Sequence, residues 1–471
     1  MTVSAKITFV GGGSAQWTPT LLDDIALTPS LSDAQIVLYD IDGDRAARTA
    51  AYGRHLVELL DVPMRVTAST DRDAALDGAE FVVVCISTGG LASMTQDLAV
   101  PARYGIQMPT GDTVGPSGIS RALRNIPVML DLTRAMEVRC PDAWLLNLTN
   151  PMTTLCRTVT KHTSIKTIGL CHEVSACRHL LAQLLDTQFA NIDLQVAGVN
   201  HLPLVTGIAV DGVDARASLQ DLIEGRVDAD VALPGLSAAM QEERTAPGGM
   251  STRSERRSDT AVTKQSILDM WRVNFTLFRQ FGALPAAGAR HTVEFFPNFL
   301  NPEAGHGRHW GAEAVSIAER EDWERSFQAD IDRRLASTSP PKHRSLEMLA
   351  PVIDSLRGGR PRHLPLNIPN AGQVPDLPTD VTVESICTID GHGVRGRDSV
   401  HVPAPLAESL RRISASQELT VEAAVEGSRD KVVEAMFVDP LASTVDYRLL
   451  PTMADELLSA TSKWLPQFAT D

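Results

Sequence analysis

At 471 residues and 43% apolar content the chain can bury a large core, and its length suits two or three domains or one extended α/β unit with an appended domain. Its 43 basic against 58 acidic residues leave a net charge of −15, which argues against nucleic acid as the main partner. No apolar run approaches a membrane span, no signal peptide precedes the first strand, and the six dispersed cysteines form no disulfide framework, so a cytoplasmic protein with reduced thiols and no membrane partner is expected.

KITFVGGGSAQWTPTLLDDIAL predicts a buried strand, a tight glycine turn and a helix with apolar residues at helical spacing. QIVLYDID, GAEFVVVCIS, AWLLNLTNP and SIKTIGLCH are short apolar runs separated by helical stretches. That alternation predicts an α/β fold, a Rossmann-like doubly wound parallel sheet over residues 1–195, with a second domain over 196–471. Residues 212–262 read as a polar surface loop or flap rich in Arg, Ser and Gly. After it KQSILDMWRVNFTLFRQFG predicts a helix, 283–311 a loop, 313–336 a helix of alternating charge, and 337–345 a solvated linker. Amphipathic helices follow from about residue 405.

Four groups of residues carry chemistry. In Gly11-Gly12-Gly13-Ser14 the missing side chains would let backbone N–H groups approach a pyrophosphate at a helix N-terminus, although Gln16 replaces the third glycine of G-x-G-x-x-G. Asp40, at the end of the second strand, suits the ribose hydroxyls of NAD and would repel the 2′-phosphate of NADP; a strand-end cap is the plainer reading. GDTVGPSGISRALRNIP (111–127) gathers glycines, Asp112, Arg121 and Arg124 in the composition of a loop that wraps an oxygen-rich ligand, but both arginines equally suit a helix surface. Asn147 and Asn150 end another strand, on the edge where ligands collect in a doubly wound sheet, or simply form a turn before Pro151. Lastly, Cys171 in GLCHEV and His201 in GVNHLP are too few to close a metal shell, so a metal between them would keep positions open for substrate. An inert buried thiol and a satisfied loop histidine are the alternative.

These motifs together resemble family 4 of the glycoside hydrolases, glycosidases that require NAD and a divalent metal. The resemblance runs nearly end to end, through VGGGSAQWTP, LYDID, GDTVGPSGISRALRNIPV, NLTNPM, GLCHEV, GVNH, RHTVEFFPNF, NIPNAGQVPDLP and VEAAVEGSRDKVVEAMFVDPL. It implies that the second domain is an α+β unit like that of lactate and malate dehydrogenases, and that the chain forms a homodimer or homotetramer acting on a carbohydrate. By the family pattern Cys171 and His201 hold Mn2+ or another divalent cation. Gly11, Gly13, Ser14 and Asp40 belong to the NAD site and Asn150 contacts the sugar, while Asp112, from its loop, and Arg290, as a candidate partner of a substrate carboxylate, are added to the substrate site. The implied reaction is redox-neutral: NAD takes hydride from sugar C3, the ketone acidifies the C2 proton, a base removes it, the C1 substituent leaves, water adds, and hydride returns.

Two departures bear on the substrate and the base. The 6-phosphosugar branch uses a tyrosine base, yet the tyrosines here are Tyr39, Tyr52, Tyr104 and Tyr447, none in the matching region. RHTVEFFPNF resembles a stretch of the α-galactosidase branch and offers His291 and Glu294 as the C2 base, with Phe295 where a tyrosine would stand and Asp259 as a further candidate. CHEV resembles the α-galacturonidase members, which makes a non-phosphorylated galacturonide or related uronide the expected substrate; His172 is by position the leaving-group acid, or else only orients Cys171. A uronide carboxylate calls for a guanidinium from Arg290, Arg308 or the arginines at 253–257. The alternatives are an α-galactosidase or α-glucosidase of the same family, or an NAD-dependent dehydrogenase of the lactate/malate type with net substrate oxidation.

Overall fold

A computed structural model describes residues 4–225 and 263–469; Asp259, Arg253, Arg256 and Arg257 lie outside the described residues. Six strands form the parallel half of one sheet: β1 (Lys6–Val10), β2 (Gln35–Tyr39), β3 (Arg65–Ser69), β4 (Phe81–Val84), β5 (Trp144–Asn147) and β6 (Lys166–Gly169). Their spatial order is β3-β2-β1-β4-β5-β6, so the strand order reverses between β1 and β4. This is the predicted doubly wound sheet, and its apolar runs follow from burial on both faces. Phe81 and Val83 of β4 pack with Leu21, Ile25 and Val352 on one side, while Val82 and Val84 pack with Ile119, Leu123 and Leu155 on the other. Each such fully buried side chain stabilises the fold by about 1.5–3 kcal/mol.

The sheet then continues antiparallel. Beyond β6 come β11 (Arg362–Pro369), β12 (Thr382–Asp390), β7 (Ile192–Val199), β8 (Leu202–Val210) and β10 (Leu284–Pro285), with β9 (Val213–Asp214) beside β8 and β13 (Gly393–Gly396) beside β12. A boundary at residue 195 would fall inside β7, and the chain on either side of it shares this one sheet. The periodicity reading missed β7, β8, β11 and β12. Pro365 explains part of this, because proline cannot donate to a ladder and argues against a central strand. It is tolerated here because β11 meets β6 only through Asn367 and Gly169.

The predicted helix after the flap is two helices, Lys264–Met270 and Arg272–Phe281, divided at Trp271. The charged segment forms Ile317–Ala336, and the C-terminal helices are Ala404–Glu426, Arg429–Val438 and Leu450–Ala460. No helix of the described residues is long and apolar enough to cross a membrane.

Candidate active site

The loops that leave the C-terminal ends of β1, β4, β5 and β6 lie on one edge of the sheet, where a doubly wound fold collects ligands. After β1 the backbone N–H groups of Gly11 and Gly12 both donate to Tyr39 O (3.0 and 2.9 Å). Gly13 N donates to Asp40 Oδ2 (2.9 Å) and Ser14 N to Gly11 O (3.0 Å). These N–H groups are thus committed to the fold, and the glycines serve close approach instead. A Cβ at Gly11 would stand 2.1 Å from Cys85 O, and Gly11 has φ +86°, which favours glycine. Asp40 keeps its place at the end of β2, with Oδ1 accepting from Asp42 N (3.0 Å).

Loop 109–113 and the turn between β7 and β8 meet across the sheet edge. His201 sits in that two-residue turn with φ +65°, an uncommon conformation for a non-glycine residue that the surrounding contacts must hold. Thr113 Oγ1 donates to Asp112 Oδ1 (2.7 Å), and lies 2.7 Å from His201 Nδ1. The hydroxyl has one proton, given to the carboxylate, so it accepts from the ring; His201 therefore carries its proton on Nδ1 and keeps a lone pair on Nε2 for a ligand. Burial, reinforced by the neighbouring His291, pushes His201 down to about 3, consistent with a neutral ring.

Asp112, His201 and His291 each offer a donor atom within 4.8 Å of the others. The two imidazoles stack with centroids 3.8 Å apart, and His291 Nδ1 is 3.8 Å from Asp112 Oδ1 and has no hydrogen-bond partner. Burial works to raise Asp112, but His291, His201 and Arg121 together hold it below the ordinary carboxylate range. Its Oδ2 accepts from Asn150 Nδ2 (3.1 Å), while Asn150 O accepts from Arg121 Nε and Asn125 Nδ2 (both 3.1 Å). Asn150 Oδ1 is buried and unpartnered. Two imidazoles and a carboxylate are donors suited to a borderline divalent cation.

Cys171 lies outside that three-residue set. Its thiol is buried, and burial together with the Glu384 and Glu173 carboxylates pushes it well up, against donors from Glu173 N and the Asn200 amide. Asn200 Nδ2 also donates to Glu384 Oε2 (3.3 Å), so the residue preceding His201 ties the β7–β8 turn to Cys171 and β12. Glu384 is fully buried and pushed by burial up to about 8, with Oε1 unpartnered. A thiol and two carboxyls so gathered are surroundings that a divalent ion would stabilise, by favouring the thiolate.

The remaining candidates divide by what they touch. Glu294 Oε1 accepts from Thr110 N (2.6 Å) and Gly111 N (2.9 Å), clamping the loop that carries Asp112; burial pushes its carboxyl up to about 8. His172 is partly exposed, with Nδ1 3.3 Å from Glu347 Oε1 and Nε2 3.7 Å from Glu173 Oε1. Glu173 Oε2 in turn accepts from Gly288 N (2.7 Å), which fixes the segment that bears Arg290 and His291. Arg290 is half-buried and makes no ion pair among the described residues, whereas Arg308 is exposed and donates to Gly305 O (3.1 Å). The helix-surface reading of Arg124 is overturned: it is fully buried and bidentate to Asp97, so it holds the fold. Arg121 is half-buried beside Asp112. Sequence reasoning missed Thr113, Glu173, Asn200, Glu384 and Arg320. Of these, Glu384 left a signal, a carboxyl inside the apolar run VTVESICTI. Arg320, which donates to Thr110 O (3.0 Å), sat unnoticed in a helix of mixed charges.

Residues 6–187 match the profile of the family 4 glycosyl hydrolases, and residues 196–442 match that of the family 4 glycosyl hydrolase C-terminal domain. An α-galactosidase of Bacillus subtilis is 30% identical over 98% of this chain and 99% of its own length. An α-galacturonidase of Thermoanaerobacterium saccharolyticum is 29% identical, covering 98% and 96% respectively. Among solved structures, a 6-phospho-α-glucosidase from gut microorganisms, in complex with NAD and Mn2+, superposes with a TM-score of 0.78 at 20% identity, over 98% of this chain and 99% of that one.

Proposed function

Because the chain belongs to glycoside hydrolase family 4, we propose that it cleaves the α-glycosidic bond of a non-phosphorylated galacturonide or related uronide, using NAD and a divalent cation such as Mn2+. The observation that supports this reading is the convergence of Asp112, His201 and His291 within 4.8 Å at the ligand-binding edge of the sheet, which gathers a candidate metal ligand, an acceptor for sugar hydroxyls and a candidate base around one point. The relatives lend α-specificity and the two cofactors: α-galactosidase and α-galacturonidase activities at 30% and 29% identity, and NAD with Mn2+ in the solved 6-phospho-α-glucosidase. When bound, NAD supplies reversible hydride acceptance at sugar C3 and the cation a Lewis acid at the neighbouring oxygens.

The chain's own residues would do the rest. Gly11, Gly13 and Ser14 shape the NAD loop, and Asp40 supplies a carboxylate for the adenosine ribose. His201 and Cys171 would hold the cation, with Thr113 fixing the His201 tautomer as outer-shell partners do for metal-bound imidazoles. Asp112 and the unpartnered Asn150 Oδ1 accept sugar hydroxyls. Of the two candidate C2 bases, His291 has an unpartnered ring nitrogen, whereas Glu294 is engaged as the clamp of the Asp112 loop. His172, partly exposed beside Glu173 and Glu347, would hold a proton for the leaving group.

Arg290 is the guanidinium we assign to the substrate carboxylate, because it adjoins His291 and has no ion pair among the described residues. A neutral hexoside would leave it unpaired, a cost of a few kcal/mol. With NAD, Mn2+ and a reductant present, kcat/KM on an α-galacturonide should exceed that on the matching α-galactoside by about 100-fold or more. Arg290→Gln should erase the preference without releasing the metal. Equal rates on both substrates in the unmodified enzyme would place it with the neutral-sugar α-galactosidases or α-glucosidases instead.

A further inference from the structure

A second cleft, of about 510 Å3, opens between the helix Glu173–Leu184, β7 and the β11–β12 pair, and shares none of its lining residues with the candidate active site. Four arginines line it: Arg178, Arg360, Arg362 and Arg397. In a chain of net charge −15 that concentration runs against the composition. Two of the four are committed. Arg397 pairs with Asp193 (2.7 Å) and Asp398 (2.6 Å), and Arg362 pairs with Asp354 (2.6 Å).

The other two make no ion pair among the described residues, although Asp193, already paired with Arg397, lies near enough to Arg178 to act on it electrostatically. Arg178 lies with its guanidinium 4.3 Å from the centroid of the Phe189 ring, and its Nε is buried without a hydrogen-bond partner. Arg360 is exposed at the mouth and makes no ion pair among the described residues. A guanidinium pinned on an aromatic face keeps its fork pre-organised, and an incoming oxyanion would supply the acceptor that the guanidinium lacks. Phe189, Leu364 and Ile386 provide apolar wall, and the volume falls in the range of small-molecule sites, roughly 300–1,000 Å3.

We propose that this cleft binds a small dianionic ligand, carrying a phosphate monoester or a second carboxylate, through the forks of Arg178 and Arg360, at a site separate from the catalytic centre. The test is calorimetric titration of the full-length enzyme, loaded with NAD and Mn2+, with methyl phosphate and separately with succinate. Saturable binding of either with Kd below about 10 mM is expected, and the stronger of the two identifies the anionic group. Arg178→Gln and Arg360→Gln should each weaken that binding by about tenfold or more, with hydrolytic rates on saturating substrate unchanged, while Arg448→Gln, on a distant surface pair, should leave it intact. Absence of saturable binding by both probes, or affinity unchanged in both cleft variants, overturns the proposal. So does a change of oligomeric mass in those variants without loss of anion binding, which would make the cleft a subunit interface.

Discussion

Thr113 shows how much of this site depends on a residue with no chemistry of its own. One hydroxyl proton, given to Asp112, dictates the tautomer of His201 and so which ring nitrogen faces a cation. Thr113→Val should therefore weaken Mn2+ binding by about 10–100-fold with NAD affinity unchanged, read by Mn2+ titration under electron paramagnetic resonance, and Thr113→Ser should restore it. Cys171→Ser should lose Mn2+ affinity and activity together, since a hydroxyl is a poor replacement for a thiolate. Full Mn2+ affinity in that variant would return Cys171 to the role of an inert core thiol. At this scale the sequence exposed Cys171, His201, Asp112 and His291 through motif position. It could not reveal that Asp112 and His291 share one cluster, because that follows from tertiary contacts between segments 179 positions apart in the chain.

The first helix, Thr18–Ala26, is buried at all nine positions and still carries Asp23 and Asp24. Each acid is satisfied from a distant segment: Asp23 by Tyr52 and Arg334, and Asp24 by Ser345 N (2.7 Å) and Ser345 Oγ (2.5 Å). The stretch 337–345, expected to be a solvated linker, is thus pinned at its end to the Rossmann half. Burial pushes Asp24 from 3.8 up to about 6, so the folded state binds its proton more tightly than the unfolded chain does. That contribution is fully present below pH 3.8 and is lost as pH rises through about 6. Asp24→Asn should flatten the fall in stability between pH 4 and 6 and add up to about 3 kcal/mol at neutral pH, measured by thermal or denaturant unfolding. In the turn after β1, Gly13→Ala would bring a Cβ to 2.7 Å from Arg45 Cβ and 2.9 Å from Asp40 Oδ2. NAD affinity should drop by about tenfold or more in that variant, by equilibrium titration, with the fold retained. The elements of the parallel half were legible because strands buried on both faces read as unbroken apolar runs. The antiparallel half was not, because β11 carries Pro365 and β12 carries Glu384, and each breaks the local pattern for a reason that lies in its neighbours.

On the scale of the molecule, one sheet carries the doubly wound β1–β6 into the antiparallel strands that bring His201, Asn367 and Glu384 to the same edge as the nucleotide loop. The class of the first half was readable from strand and helix alternation; the sharing of one sheet was not, since β11 and β12 lie almost 200 residues downstream of the strand they join. In the proposed reaction this arrangement would bring a hydride acceptor and a divalent cation to one sugar, which is what separates a redox-neutral glycosidase from a dehydrogenase of similar architecture. The claim rests on removal of the sugar C2 proton by His291, and hydrolysis in D2O tests it most directly. The account predicts one deuterium at C2 of the released sugar, detected by NMR, with no accumulation of NADH at 340 nm, and loss of both turnover and exchange in His291→Ala while that variant still binds NAD. A product that keeps its C2 hydrogen, or NADH released in step with substrate consumed, would contradict it.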